Sequence, residues 1–458
     1  MTPTPVTVPG GPVEVPVRRT LPRLVHRPLH AFEQIGRECG GSLARLHLGP
    51  TRPYLATHPE HVQQILRNID TYRREGMLWK EIQRLEGDGF AGEGPPWRRS
   101  RQMLQPLLSA RNVTALLAAI APAVDEALDS LAARTRDGRP VPLIPELTRI
   151  THRVLIRVFF SDRISPAEAD RLGTAINTAL RMLRWRMLLP FVSEAVPLPG
   201  DRAFKQAVAT IDRIMYPVIR GYRSEAGQPG EPAGEAGRDF VALFATAVDE
   251  HGEPLEERRV RDDVVAMFVA GTETTAMTLT WLFLLADRHP PVAARLAAEA
   301  AAVVGADRLR PEHVPGLEYT RMVLQETMRL YPSGWLIPRR VVRDDTLGGS
   351  RLPAGSTVLL SPFLTHRLPE FWDQPYDFRP ERFAPGQDWK RHKFAYIPFS
   401  AGAHQCLGNH FSLAEAQLAV AGVFSRFRPQ LRGTPSMEPR VAPVLQPKRT
   451  PELLLPRR

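Results

Sequence analysis

The sequence predicts a mainly α-helical protein with small β-sheets, folded as a single large domain over residues 20–458 behind a proline-rich lead-in, residues 1–19. Three observations carry this expectation. Apolar residues recur at helical spacing through most of the chain as far as about Leu330. Over residues 341–363 the pattern changes to short strand-like runs, punctuated by Gly348, Gly349 and the Pro353-Ala354-Gly355 turn. The 458 residues suffice for one large domain or two to three ordinary ones, yet no internal repeat and no linker divides them. The stretch 226–237, rich in Gly, Pro and Glu, reads as a surface loop rather than a boundary.

Residues 1–19 contain no apolar core of signal-peptide length, so they read as an extended or disordered lead-in rather than a secretion signal or anchor. Residues 44–48 and 53–57 are strand-like and are split by Gly49-Pro50-Thr51-Arg52, which predicts a hairpin. A helix should follow from Pro59 with Val62, Ile65 and Leu66 facing inward. Residues 71–96 read as irregular, and the large apolar groups there, including Tyr72, Met77, Leu78, Trp79, Leu85 and Phe90, suggest a lining. Pro95 and Pro96 mark the start of a helix that carries Trp97. Further helices are predicted over 113–134, 144–160, 166–188, 201–225 and 242–250, with Asp201 as an N-cap after a Pro-Leu-Pro-Gly turn. The longest predicted helix spans 260–289, and the last follows Cys406.

Composition excludes several classes. Hydrophobic residues make up 43% and charged residues 24%, the balance of a soluble globular protein. Cys39 and Cys406 are too few for a disulfide framework, which predicts a reduced, cytoplasmic protein. Residues 264–286 are long and apolar enough to raise a membrane span, but Glu273 near their middle would cost about 3 kcal/mol in lipid. A helix buried in a large protein is the better expectation. The net charge of +11 invites a nucleic-acid reading. The arginines are scattered, with no basic run interleaved with aromatics, so an acidic protein partner is expected instead and neither nucleic acid nor a membrane span.

The richest stretch is Phe399-Ser-Ala-Gly-Ala-His-Gln-Cys-Leu-Gly408. After it, Leu413, Ala416, Val420, Phe424 and Phe427 fall on one helix face. Cys406 therefore stands just ahead of a helix N-terminus, where partial positive charge favours thiolate, the metal-binding form. The glycines let backbone lie close against something large and rigid. One thiolate on an open loop suits the axial position of a haem iron. A lone cysteine is also commonly a small buried hydrophobe. A zinc site from His404, Cys406 and His410 is the other reading, without a paired Cys-x-x-Cys to support it.

Other patterns carry chemistry. Ala270-Gly271-Thr272-Glu273-Thr274-Thr275 interrupts the long helix with poor helix formers. Threonine hydroxyls there can take the i−4 carbonyl and open the helix, and a carboxylate beside a hydroxyl suits proton delivery. Glu326 and Arg329 stand three apart on one helix face and can pair. Trp97 and Arg101 stand four apart on another.

Taken together, Phe-x-x-Gly-x-His-x-Cys-x-Gly, the Ala270 to Thr275 motif, Glu326-x-x-Arg329, Pro380-Glu-Arg-Phe383 and Trp97-x-x-x-Arg101 occur in an order that resembles the cytochrome P450 monooxygenases over nearly the full length. The resemblance implies the triangular P450 fold and haem b held by Cys406, with Phe399 and Gly408 in the haem loop. It implies that Ala270 and Gly271 face haem and oxygen, and that Glu273 and Thr274 are the acid and alcohol of a proton relay. Glu326, Arg329 and Arg382 match a structural cluster behind the loop. Trp97, Arg101, His404 and Arg340 match positions that hold the haem propionates, with Arg339 leaving the last assignment open by one residue.

By the same resemblance the activity is insertion of one oxygen atom from O2 into a mid-sized hydrophobic substrate: terpenoid, polyketide or peptide-derived. Oxidative cyclisation or coupling, a peroxide-driven peroxygenase and a non-catalytic haem sensor are the alternatives. Trp79, Phe90, Trp185, Ala270, Trp335, Leu336 and Ile337 are the expected pocket residues, while Arg184 and Arg186 are expected to face solvent, the alternative being contact with an acidic substrate group. NAD(P)H would act indirectly, through ferredoxin reductase and an acidic ferredoxin. The expected docking face is basic: Arg98, Arg99, Lys390, Arg391, His392 and Lys393.

Overall fold

In the computed structural model, α-helices enclose the site and small sheets flank them. The structure describes residues 11–16, 28–48, 51–161, 163–188, 192, 195–226, 239–249, 251–387, 391–433 and 435–457, without the side chains of residues 28, 77, 78, 184, 185, 187 and 188. In chain order the first half holds β1 (Val13–Val15), α1 (Pro28–Cys39), β2 (Ala44–Leu46), β3 (Tyr54–Ala56), α2 (Pro59–Arg67), β4 (Tyr72–Arg73), α3 (Met77–Glu86), α4 (Gly94–Leu107), α5 (Ala110–Arg134), β5 (Val141–Pro142), α6 (Leu143–Phe160), α7 (Pro166–Leu188), α8 (Asp201–Ala226) and α9 (Phe240–Thr246). The second half holds α10 (Glu257–Arg288), α11 (Pro290–Val303), α12 (Glu318–Leu330), β6 (Ile337–Val341), β7 (Asp345–Leu347), β8 (Ser350–Leu352), β9 (Thr357–Leu360), α13 (Pro362–Thr365), α14 (Asn409–Arg426), β10 (Gln430–Arg432), β11 (Pro439–Arg440), β12 (Gln446–Pro447) and β13 (Glu452–Leu454).

Six strands form the main sheet in the order β1-β2-β3-β9-β6-β4. The β2–β3 pair is antiparallel, as the turn residues predict, and Val62, Ile65 and Leu66 of α2 are buried. Part of the lead-in is extended but ordered: Val13–Val15 runs parallel to β2 at the sheet edge. The loop expected at 226–237 lies outside the described residues apart from its first residue.

Three expectations need correction. The irregular stretch before Trp97 contains the helix α3, bounded by Gly76 and Gly87, both at positive φ. α9 ends at Thr246, earlier than the apolar run suggests. Asp201 is the first residue of α8 rather than its cap: its carboxylate accepts from the Leu198 N–H at 2.9 Å and pairs with Arg186 at 2.5 Å. That pair turns Arg186 inward, against the expectation that it faces solvent: it is buried, with Asp201 and the Val196 carbonyl as its partners. The Arg184 side chain lies outside the described residues.

The organising element is α10, roughly 48 Å long over its 32 residues. By length and composition it is long and apolar enough to cross a membrane, but 72% of its most apolar window is buried inside the protein. It packs against α3, α6, α8, α9, α11, α12 and α14. Trp281 stacks on Tyr331 with ring centroids 4.0 Å apart and donates its indole N–H to the Leu445 carbonyl. Burying such aromatics with their polar atoms satisfied fixes the helix laterally. α14, the helix after Cys406, meets α10 partly through stacked Phe283 and Phe424.

Candidate active site

Between the middle of α10 and the loop before α14 lies a cavity of about 300 Å³. Ala270, Gly271, Thr274 and Thr275 line it from the helix, and Phe399, Ser400, His404, Cys406 and Gly408 from the loop. The loop is held open by its own backbone. The Cys406 N–H donates to the Phe399 carbonyl at 2.9 Å, and Gly402 sits at φ +70, where a Cβ would lie 2.1 Å from the Leu66 carbonyl oxygen. Only glycine fits there. The Cys406 residue is exposed where it lines the cavity. Burial raises its pKa, and the Gly408 N–H and the Arg101 charge act in the opposite direction. The helix N-terminus therefore does not by itself make this thiol acidic.

α10 continues through the Thr-rich turn without a break, so the helix is not opened there. Thr272, Thr274, Thr278 and Thr280 each donate to the carbonyl four residues earlier, Thr274 to Ala270 at 2.5 Å. The Thr275 hydroxyl is the exception: it is buried at the cavity wall with no partner. Glu273 turns elsewhere. Its Oε1 accepts from the Gln446 side-chain amide at 2.8 Å, and burial raises its pKa against the lowering effects of Gln446 and Arg440.

One edge of the site is strongly cationic. Trp97 and His404 pack ring to ring, 4.2 Å between centroids, and the His404 Nε2 lies 3.1 Å from Glu93. Burial pushes His404 down to about 4, aided by Arg74 and Arg339, so it is neutral at pH 7. Arg101 donates to the Gln405 carbonyl at 2.9 Å. Arg340 is exposed on the outer face of β6, while Arg339 is buried, its pKa pushed down to about 9 by burial and by Arg74. The inward arginine is therefore Arg339, and the assignment to Arg340 is corrected. A period-two signal contained this answer: Ile337, Arg339 and Val341 alternate with Pro338 and Arg340 along the strand. Arg74 was missed altogether. It lies between Trp79 and Trp97, 5.5 and 5.6 Å from their ring centroids, and its pKa is pushed down to about 10 by burial.

The Glu-Arg-Arg cluster assembles away from the cavity. Arg329 grips Glu326 bidentately at 2.7 and 2.8 Å, and Arg382 reaches Glu326 at 3.3 Å. Arg329 also donates to the carbonyls of His366, Pro375 and Asp377, so three points of the segment before the haem-loop sequence are tied to one buried guanidinium.

The expected pocket residues separate. Phe90 and Ile337 line the cavity. Trp335 does not: its ring packs on Phe32 and its N–H donates to the Ala442 carbonyl at 2.9 Å. Leu336 packs in the same neighbouring core, and Trp79 belongs to the cationic edge. These residues precede or lie outside a regular strand, so no alternation aims them inward. The Trp185 side chain lies outside the described residues. Leu155, Phe159, Met267, Leu324 and Met328 complete an apolar lining that local motifs could not reveal.

The residues fit haem. The cavity offers one soft donor, Cys406, small residues at Ala270 and Gly271, orphaned hydroxyls at Thr275 and Ser400, and cations at one edge for carboxylates. A metal held by protein ligands alone, as in the zinc reading, has no donor set among the described residues. Comparison with known proteins agrees. Cyclooctatin synthase of Streptomyces melanosporofaciens is 31% identical over 418 residues, 91% of this chain and 88% of its own. Pentalenene oxygenase of Streptomyces avermitilis is 30% identical over 97% of this chain and 95% of its own. Cyclooctat-9-en-7-ol 5-monooxygenase of Streptomyces melanosporofaciens is 32% identical over 93% and 90%. The haem domain of cytochrome P450DA superposes with a TM-score of 0.83 at 22% identity, covering 98% of each chain. With the cytochrome P450 family description matching residues 9–455, the chain belongs to the cytochrome P450 family and is a monooxygenase whose haem takes a cysteine thiolate ligand.

Proposed function

We propose that this enzyme inserts one oxygen atom from O2 into a mid-sized, terpenoid-like hydrocarbon or alcohol in the cytoplasm, with Cys406 as the thiolate. The carrying observation is the shared cavity, in which Cys406 and the Ala270-Gly271-Thr274 wall meet an apolar lining. The kinship with bacterial terpenoid-modifying P450 monooxygenases supports the substrate class. When bound, haem supplies the iron at which dioxygen is reduced and split, and thiolate donation favours that cleavage.

The chain's own residues do the rest. Arg74, Arg101, Arg339, Trp97 and His404 hold the propionate carboxylates. Phe90, Leu155, Phe159, Met267, Met328 and Ile337 orient the substrate and exclude water. Glu273 and Thr274 move protons, Thr274 from its Oγ1 at the cavity wall and Glu273 behind it. Electrons come from NAD(P)H through ferredoxin reductase and an acidic ferredoxin. Within the expected docking face, Arg98 and Lys393 are exposed, whereas Arg391 is turned inward onto Trp372 at 4.2 Å and Lys390 lies outside the described residues. The face is therefore smaller than the sequence run implies.

The test is turnover under labelled O2 with a ferredoxin system, after screening terpenoid hydrocarbons and alcohols for ligands that shift the ferric Soret band. Product carrying one labelled oxygen supports the reading. Peroxide supporting turnover equally well without reductant, or ring closure without label, would replace it with a peroxygenase or a coupling enzyme.

A further inference from the structure

Glu273 and Thr274 are neighbours on α10, yet only Thr274 lines the cavity; the Glu273 carboxylate points the other way, to the C-terminal hairpin. There β11 and β12 pair antiparallel, with Arg440 directly opposite Gln446. An Arg440 N–H donates to the Gln446 side-chain carbonyl, and the Gln446 amide N–H donates to Glu273 at 2.8 Å. Because Arg440 has donors only, it fixes which end of the Gln446 amide faces it, and the NH2 end must then face the carboxylate. The hairpin that carries this chain is itself anchored at the next residues along. Trp281 donates to the Leu445 carbonyl at 3.0 Å and Trp335 to the Ala442 carbonyl at 2.9 Å. Arg440 is exposed and lines a separate open groove of about 860 Å³, together with Tyr331, Met437 and Lys448.

The geometry points to Gln446 and Arg440 as positioning residues that tie Glu273 to the lining of this groove through Arg440, making the groove the entry for the protons that Thr274 delivers to the cavity. This rests on the reading of Glu273 and Thr274 as a relay. The proton balance is simple. Thr274 gives up its Oγ1 proton on the cavity side and takes back one that Glu273 releases, passed around the helix turn by water because the carboxylate does not touch the hydroxyl. The carboxylate so formed is reprotonated by water from the groove, one proton in for each one passed on. Gln446 and Arg440 are not proton donors in this scheme: an amide and a guanidinium keep theirs, and they act by fixing where the carboxylate stands. Nothing in the local sequence marks Gln446, which lies forty residues past Cys406 in a hairpin of short, proline-flanked strands.

The test uses the full-length holoenzyme with its substrate and four variants: Gln446→Leu, Arg440→Ala, Arg440→Lys and Glu273→Gln. Gln446→Leu and Arg440→Ala should cut product formed per NAD(P)H at least threefold and raise peroxide release to match, with haem content unchanged. Arg440→Lys should restore at least half of the loss. Infrared difference spectroscopy gives a readout independent of turnover: the carboxyl stretch assigned by its loss in Glu273→Gln should move to higher frequency in Gln446→Leu and Arg440→Ala as the hydrogen bond is removed or loosened. If Glu273→Gln uncouples but both hairpin variants stay coupled with an unmoved band, the positioning role is wrong and the relay stands. If Glu273→Gln itself stays fully coupled, the relay is wrong and this proposal falls with it.

Discussion

A single peptide step separates Arg339 from Arg340, and in the proposed haem site it decides which one would meet the haem carboxylates. Arg339 is buried beside Arg74, whereas Arg340 sits on the exposed face of β6 opposite Arg73. A charged hydrogen bond contributes about 1.5–3 kcal/mol, so Arg339→Gln should weaken haem retention about tenfold or more, measured as haem transfer to an acceptor globin. Arg340→Gln should stay within about twofold by the same principle; equal effects would return the assignment to the outer residue. Thr274→Ala should lower product per NAD(P)H several-fold with unchanged haem content, and full coupling in that variant would remove the hydroxyl from the relay. The motif residues were legible because each is tied to its neighbours in sequence: Cys406, Ala270, Gly271, Phe399 and Gly408 all line one cavity. Trp335 and Arg74 were not, since their roles depend on partners at Ala442 and Trp97 that no local spacing reveals.

Elements were legible in proportion to their length. α10, with 32 residues, repeats its apolar period many times, whereas α3 has 10 residues between two glycines and completes under three turns. The Glu326-x-x-Arg329 pair reads from α12 alone, but its value comes from what it ties together. The guanidinium is fully buried, binds Glu326, and donates to three carbonyls that hold the segment 366–377 in place. Removing one partner of a buried pair costs about 3–5 kcal/mol, because the other charge is left uncompensated. Arg329→Ala should therefore lower unfolding stability by about that amount in urea titration of the holoprotein and should shed haem on the way. A loss under about 1 kcal/mol, the range of an exposed pair, would contradict the role given to the cluster.

Across the whole molecule, acid should act first on buried neutral histidine. His366 is fully buried; its Nε2 accepts from the Ile397 N–H at 2.8 Å and its Nδ1 faces the Arg329 carbonyl, which fits only the neutral ring. Burial, with Arg329 and Arg367 nearby, pushes its pKa down to about 3. The unfolded chain therefore takes up this proton first as pH falls below about 6.5, and the folded state follows only near 3. Stability should be fully present above pH ~6.5 and decline toward pH ~3, by on the order of 5 kcal/mol from this group. Urea midpoints measured against pH should show that slope, and His366→Gln should flatten it; an unchanged slope would place the titration elsewhere. The same histidine links Arg329 to Ile397, two residues before the haem loop, so the packing that acid weakens also holds the ligand loop. Everything this fold positions converges on the Cys406 sulfur. The most direct measurement is the absorption spectrum of the reduced holoprotein under carbon monoxide. The account predicts the strongly red-shifted Soret band of a thiolate-ligated haem in the parent protein and its loss in Cys406→Ser. An unshifted band in the parent, or a shifted one that survives Cys406→Ser, would contradict it.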